Sequence, residues 1–331
     1  MIVDKESTFP NGMALSSKAS FVVKVESKKD IIEVSSFAKK EGLSLLALGE
    51  GTNIVPDNYF RGVVAILDSK GVEKNKEKLK IQAGEKWDNI VKFAVEKNLT
   101  GIEALSAIPG KVGAAPIQNI GAYGSEICNT LESLEAYDRE KDEFVILSKK
   151  DCEFSYRDSL FKKNKDRFII ASITLNLSKK IPKIPEYRDV QNYFNERENM
   201  FPSLKEIRGA IIEIRRNKLP DPSIIPNCGS FFKNPFVSKN LATKIKGDFS
   251  AIPIFEQNGK IKIPAGFLID SLGFKGKKLG KIEVYKNNAL VLTNPNRASF
   301  NDLILAKETI QKEVFTKFGI MLEPEVNIIQ N

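Results

Sequence analysis

A chain of 331 residues with 42% hydrophobic content can bury a substantial core and divides naturally into two or three domains. It contains no histidine, which removes the usual general base, the usual partner of a nucleophilic serine and the commonest metal ligand together. Its three cysteines are too few and too scattered for a disulfide framework or a zinc site. The net charge of +9 is spread over single lysines and short groups such as Lys162, Lys163 and Lys165, with acidic residues interleaved, so it reads as a solvated surface rather than a nucleic-acid platform.

At the N-terminus, MIVDKESTFP turns polar at once, and no apolar run approaches a membrane span; a cytoplasmic protein with reduced thiols is expected. FVVKVES (21–27) alternates as a strand, and the stretch from Asp30 to Lys40 carries Ile31, Val34, Phe37 and Ala38 at helical spacing before Gly42. An apolar strand then runs straight into Gly49, Glu50, Gly51, Thr52 and Asn53, a junction where small residues expose backbone N–H groups. GVVAILD and KLKIQAG read as strands, and Trp87 to Lys97 as a helix whose apolar stripe belongs to the core. LESLEAYD and FIIASITLNL are strand-like. In the second half, Ser203 and Glu206 form a capping box for a helix ending near Lys218, before Leu219 and Pro220. PNCGSFFKNP follows as a turn-rich run, then a helix from Pro264 to Leu272 and a last one from Ser299 to Phe318 with Gly319 as its stop.

Between these elements, IPGKVGAAPIQNIGAYG (108–124) concentrates four glycines and two prolines in a stretch of mostly apolar residues. Such density marks backbone that comes close to something, most often phosphate. Yet no GKS or GKT ending and no G-x-G-x-x-G fingerprint is present, so a phosphate ligand here implies another architecture.

The order and spacing of LGEGTN (48–53), the glycine-rich stretch, SYRDSLFK (155–162), GSFFKNP (229–235), PAGFLID (264–270), NNALVLTN (287–294) and LEPEV (322–326) resemble the UDP-N-acetylenolpyruvoylglucosamine reductase family, over essentially the whole chain and in its longer subclass. The resemblance implies an α+β / α/β protein: a two-lobed FAD-binding domain of the vanillyl-alcohol oxidase type over residues 1–215, lobes meeting near 70, and a smaller substrate domain over 216–331 whose C-terminal strand returns toward the flavin. It implies FAD and NADPH as cofactors, a UDP-sugar enolpyruvyl ether as substrate, and a role in peptidoglycan precursor synthesis. No nucleic acid or membrane partner is expected, and the chain reads as a monomer.

Carried over residue by residue, the resemblance assigns Gly49, Glu50, Gly51, Thr52 and Asn53 to the cofactor. Ile108, Pro109, Gly110, Gly113 and Ala114 join them, as do Gln118, Asn119, Gly121, Ala122, Tyr123 and Gly124. Ser230 matches the proton donor, while Arg157 and Glu325 match residues facing the substrate carboxylate and developing enolate. Glu325 fits there either protonated or with Arg157 dominating the local field. Tyr156, Tyr187, Lys218, Asn234 and Lys275 fall to substrate binding. Two positions depart from the family's pattern: Ile254 replaces a nucleotide-packing tyrosine, a contact either lost or taken over by Phe255, and Asn327 replaces an arginine that would support the C-terminal strand or the site. A different FAD oxidoreductase of the same fold, or a basic nucleic-acid-binding protein, are the alternatives.

Overall fold

The computed structural model describes residues 3–257 and 259–330. The chain divides into two compact units. The first takes the chain up to Phe9, Lys18–Gly51 and Tyr59–Arg216; the second takes Pro10–Ser17, Thr52–Asn58 and everything from Asn217 onward. LGEGTN is thus itself divided, between Gly51 and Thr52.

Up to the main division the elements are β1 (Val3–Thr8), β2 (Lys18–Val25), α1 (Lys28–Lys40), β3 (Ser44–Leu48), β4 (Ile54–Pro56), β5 (Tyr59–Leu67), β6 (Val72–Asn75), β7 (Lys78–Gln82), α2 (Trp87–Glu96), β8 (Gly121–Ala122), β9 (Ser125–Glu126), β10 (Leu131–Asp138), β11 (Glu143–Ser148), α3 (Leu160–Lys163), β12 (Phe168–Asn176), α4 (Arg188–Asn195) and α5 (Leu204–Lys218). One sheet has the order β1-β2-β5-β3, with β2 and β3 parallel to β5. Helix α1 packs Ile31, Val34 and Ala38 against it. The helix starts earlier than its apolar spacing suggests because Ser27 and Asp30 form a capping box, which places Asp30 inside the first turn. A second, antiparallel sheet has the order β11-β10-β12-β7-β6. Trp87, Ile90, Val91 and Ala94 of α2 join its core with Leu79, Ile81 and Ile173, each fully buried aliphatic side chain contributing about 1.5–3 kcal/mol. Helices α4 and α5 share a small core of Val190, Phe194, Ile207 and Ile211, and Ser203 and Glu206 cap α5 as their spacing predicts.

The second unit continues with β13 (Asn227–Ser230), β14 (Phe236–Val237), α6 (Lys239–Asp248), β15 (Phe255–Gln257), β16 (Lys260–Lys262), α7 (Ala265–Ser271), β17 (Lys278–Leu279), β18 (Ile282–Val284), β19 (Val291–Thr293), α8 (Phe300–Phe318) and β20 (Asn327–Ile329). Its strands form the sheets β13-β19-β18-β17 and β14-β16-β15, with β20 parallel to β4. Helix α8 opens on a capping box of Ser299 and Asp302 and closes on Gly319 at φ +67°; its buried Leu303, Ile310 and Val314 share a core with Met13, Val55, Phe231 and Leu322.

Two expectations change. PNCGSFFKNP is not mainly turns: its first part is β13, and Phe231 and Phe232 are each 1% exposed, so the two aromatics anchor the run in the core and hold it extended. The C-terminal strand does not depend on an arginine at position 327 either. Its support is backbone: the Asn327 amide donates to the Asn53 carbonyl at 2.9 Å as β20 pairs with β4.

Candidate functional site

In the first unit, β2, β3 and β5 end together because they run parallel, and open α/β sheets take ligands beyond such carboxyl ends. Gly49 and Glu50 follow β3 directly, and Gly51 turns at φ +68°, a conformation glycine adopts without a Cβ clash. The first part of the glycine-rich stretch lies against them. A Cβ on Gly49 would stand 3.1 Å from the Cβ of Lys111, and Lys86, bridged to Lys111 along the backbone, pairs with Glu50 at 3.6 Å. Backbone bonds from Trp87 N–H to Gly110 O, Val112 N–H to Glu85 O and Gly113 N–H to Ala83 O, each 2.9 Å, fix this segment. Gly113 is small for a protein reason as well, since a Cβ there would meet that of Ala83 at 2.6 Å. Ala114 closes a 3-10 turn begun by Val112.

The second part of the stretch is sewn to SYRDS by three hydrogen bonds. Asn119 Nδ2 donates to Ser155 O at 3.1 Å, Arg157 Nη2 to Gly121 O at 2.7 Å, and Ser159 Oγ to Ile117 O at 2.6 Å. The fully buried Asn119 also donates to Glu126 and accepts from the Cys128 amide, so its side-chain amide serves the protein's own loops. Gly121 and Ala122 pair with Ser125 and Glu126 around Tyr123 (φ +49°) and Gly124 (φ +83°), the signature of a type I′ hairpin. Arg157 is itself left-handed at φ +55°, a conformation that costs a non-glycine residue about 1–3 kcal/mol. Its guanidinium lies 5.3 Å from the Tyr156 ring.

Tyr187, just ahead of α4, meets Tyr123 edge to face at 5.2 Å, which joins a residue assigned to the substrate with one assigned to the cofactor. Burial pushes the Tyr123 phenol up to about 12, leaving it neutral, and Arg215 of α5 hydrogen-bonds it. Neither Arg215 nor the Asp88–Arg208 ion pair was flagged by sequence. Asp88 accepts from Arg208 at 2.6 and 2.8 Å and from the Ala107 amide at 2.6 Å, one residue ahead of Ile108.

In the second unit, Ser230 ends β13 opposite Val291 after Gly229, which turns at φ +69°. The chain then forms a short ladder with LEPEV: Phe232 bridges Pro324, Glu325 N–H donates to Phe231 O at 2.8 Å, and Lys233 N–H to Glu323 O at 2.9 Å. Ser230 and Glu325 therefore lie one residue out of register on adjoining strands, and Asn53 Nδ2 reaches the Glu325 carbonyl at 3.4 Å. Glu323, by contrast, is 75% exposed and pairs with Lys233. Asn234 Oδ1 accepts from the Ala265 amide at the start of α7, and Lys275 pairs with Asp270 on the surface, so both have roles within the protein. Lys218 is exposed at the end of α5. Ile254 packs on the core and Phe255 is half exposed.

The thiols offer no nucleophile. All three cysteines are free, and burial pushes Cys152 and Cys228 up to about 12. Among the described residues no group of three acidic, cysteine or histidine side chains could hold a metal, and no helix is long and apolar enough to cross a membrane. Two glycine-bearing loops of the first unit brought against one another beyond parallel strands, with the amide side chain of Gln118 on one of them, suit the diphosphate of a dinucleotide and fit FAD.

Comparison with known proteins agrees. Residues 19–147 match the model of an FAD binding domain, and residues 221–329 that of the UDP-N-acetylenolpyruvoylglucosamine reductase C-terminal domain. A protein of Ralstonia nicotianae named UDP-N-acetylenolpyruvoylglucosamine reductase is 39% identical over 96% of both chains. One of that name from Escherichia coli K12 is 35% identical over 96% of this chain and 94% of its own. Among solved structures, the reductase of that type from Thermus caldophilus superposes with a TM-score of 0.69 at 19% identity, covering 97% of this chain and 96% of its own. 6-Hydroxy-D-nicotine oxidase from Arthrobacter nicotinovorans superposes at 0.55 and 11% identity over 96% of this chain and 86% of its own, a likeness of fold.

Proposed function

The chain belongs to the UDP-N-acetylenolpyruvoylglucosamine reductase family, FAD-containing oxidoreductases, and from that premise we propose that it reduces UDP-N-acetylglucosamine enolpyruvate to UDP-N-acetylmuramate at the expense of NADPH, in the cytoplasm, as a step of peptidoglycan precursor synthesis. The observation that carries this reading is identity sustained over 96% of both chains, which leaves little of either unmatched.

FAD, when bound, supplies the hydride chemistry, with NADPH as donor. The loops at 49–53 and 108–124 would hold its diphosphate through backbone N–H groups. Arg157 presents a fixed positive fork to the substrate carboxylate, where negative charge grows as the enol ether is reduced. Ser230 gives its proton to the carbon beside that carboxylate; a serine hydroxyl is a weak acid, but an enolate carbon is basic enough to take the proton. Glu325 is proposed to face that developing charge as well. Tyr156, Tyr187, Lys218, Asn234 and Lys275 are proposed to bind the sugar nucleotide.

Ser230→Ala tests the assignment. Flavin reduction by NADPH should stay near the unmodified rate, while reoxidation by the enolpyruvyl substrate slows on the order of a thousandfold, with partial recovery in Ser230→Cys. Stopped-flow absorbance of each half-reaction separates the two. Equal slowing of both would make Ser230 a residue that organises the site generally, and an unchanged second half-reaction would put the proton elsewhere.

A further inference from the structure

Lys111 is the one charged residue between Ile108 and Gly124, yet its side chain is only 10% exposed. Its ammonium donates to the Leu67 carbonyl at 2.6 Å and to Asp68 Oδ1 at 2.9 Å. Both acceptors stand at the carboxyl end of β5, next to the end of β3, where Leu48 pairs in register with Ile66. Lys111 therefore reaches from a loop of the antiparallel sheet's lobe into the ends of the parallel strands of the other. On the way its stem passes Gly49: a Cβ on that glycine would stand 3.1 Å from Lys111 Cβ and 3.5 Å from Cγ. Asp68 is held from outside as well, by Lys70 at 3.0 Å and Lys24 at 3.1 Å. The carboxylate stays anionic: burial favours its neutral form, but hydrogen bonds from the three lysines outweigh that and keep its pKa far below the usual range.

We propose that Lys111 is a positioning residue for the flavin: by tying the loop at 108–113 to the end of β5, its buried ammonium fixes the spacing between that loop and the Gly49–Gly51 turn, and so preorganises the cradle for the diphosphate. The proposal rests on these two loops being the ones that hold FAD. The backbone bonds of Val112 and Gly113 hold the loop to Glu85 and Ala83, just after β7, whereas Lys111 ties it through a side chain to the end of β5. A loop pair held at its working separation loses less freedom on binding, and that difference appears as affinity. Lysine suits the task because four methylenes carry a single charge past Gly49 to a point acceptor.

The test is Lys111→Met, which keeps the stem and removes the charge. Asp68 remains paired with Lys24 and Lys70, so no buried carboxylate is orphaned. FAD release from the full-length holoenzyme, followed by flavin fluorescence on dilution and by emission of Trp87, the only tryptophan, gives the dissociation constant. It should rise roughly ten- to a hundredfold. Asp68→Asn should weaken binding too, and the double variant should lose less than the product of the two, since both act through one contact. The double variant also removes both charges, so it keeps the measurement open if Lys111→Met alone folds poorly. An unchanged dissociation constant with only a lower thermal midpoint overturns the proposal and leaves Lys111 a stabilising residue. Gly51→Val tests the premise separately: if a branched residue at φ +68° leaves FAD affinity intact, the loop assignment falls and the proposal with it. Impaired Gly51→Val beside unimpaired Lys111→Met overturns only the role of Lys111.

Discussion

At Gly121 an added Cβ would stand 2.9 Å from Arg157 Nη1, Glu126 Cγ and Ser125 O alike, and the group that can retreat most easily is the guanidinium, at the end of a flexible side chain. Gly121→Ala should therefore displace Arg157 before it disturbs the backbone. Reoxidation by the enolpyruvyl substrate should slow roughly tenfold or more, since small misplacements of a positioning charge are costly, while flavin content stays near one per chain. The branched side chain of Gly121→Val should lower flavin content too. Full reoxidation rate in Gly121→Ala combined with lost flavin would assign the glycine to the cofactor alone. Glycine density was legible in the sequence as crowding, but not what does the crowding: Ala83 at Gly113, Lys111 at Gly49, Arg157 at Gly121. Lys111 carried a signal of its own as the sole charge in its stretch, which the abundance of surface lysines obscured.

Among the elements, those with a long apolar period and a local cap were readable: α5 and α8, and the stripe of α2. The β8–β9 hairpin and α4 were not, because two paired residues or eight helical ones give no period, and their order comes from contacts such as Phe194 with Ile211. The clamp of Asp88 by Arg208, which joins α2 to α5, was equally hidden, since 120 residues separate the partners. Burial raises the pKa of the Asp88 carboxyl, but hydrogen bonds from Arg208 and the Ala107 amide bring it below its usual range. Its folded value thus lies under the unfolded one of about 4, so the pairing stabilises the protein above that pH and the gain is lost as pH falls through the folded value. Arg208→Met should cost about 1–3 kcal/mol at pH 7, and its deficit against the unmodified chain should shrink below about pH 4. Urea midpoints read by Trp87 fluorescence across that range check this. A deficit constant down to pH 2 would mean that the loss is one of packing around the arginine stem.

Over the whole molecule, the absence of histidine leaves few groups able to change charge near neutrality. Burial raises the pKa of all three thiols, so in the folded protein Cys152 and Cys228 should resist iodoacetamide, and two or more adducts by mass spectrometry would contradict their burial. Tyr123 stays neutral, and Asp166, whose carboxyl burial pushes up, sits in the turn before β12 and belongs to none of the motifs. If Ser230 is the proton donor and Arg157 the fork, as proposed, the protein groups should add no pH dependence to the oxidative half-reaction from about 6 to 9, because both hold their protonation states throughout. That half-reaction is the one to measure: NADPH carries a phosphate monoester that titrates near pH 6, whereas the diphosphate of the sugar nucleotide is esterified at both ends. With Ser230 as the donor, stopped-flow reoxidation rates should show no pH dependence beyond the ionisation of the reduced flavin itself. A steep change in rate across that range would instead show that a protein group other than Ser230 and Arg157 must gain or lose a proton for the reaction.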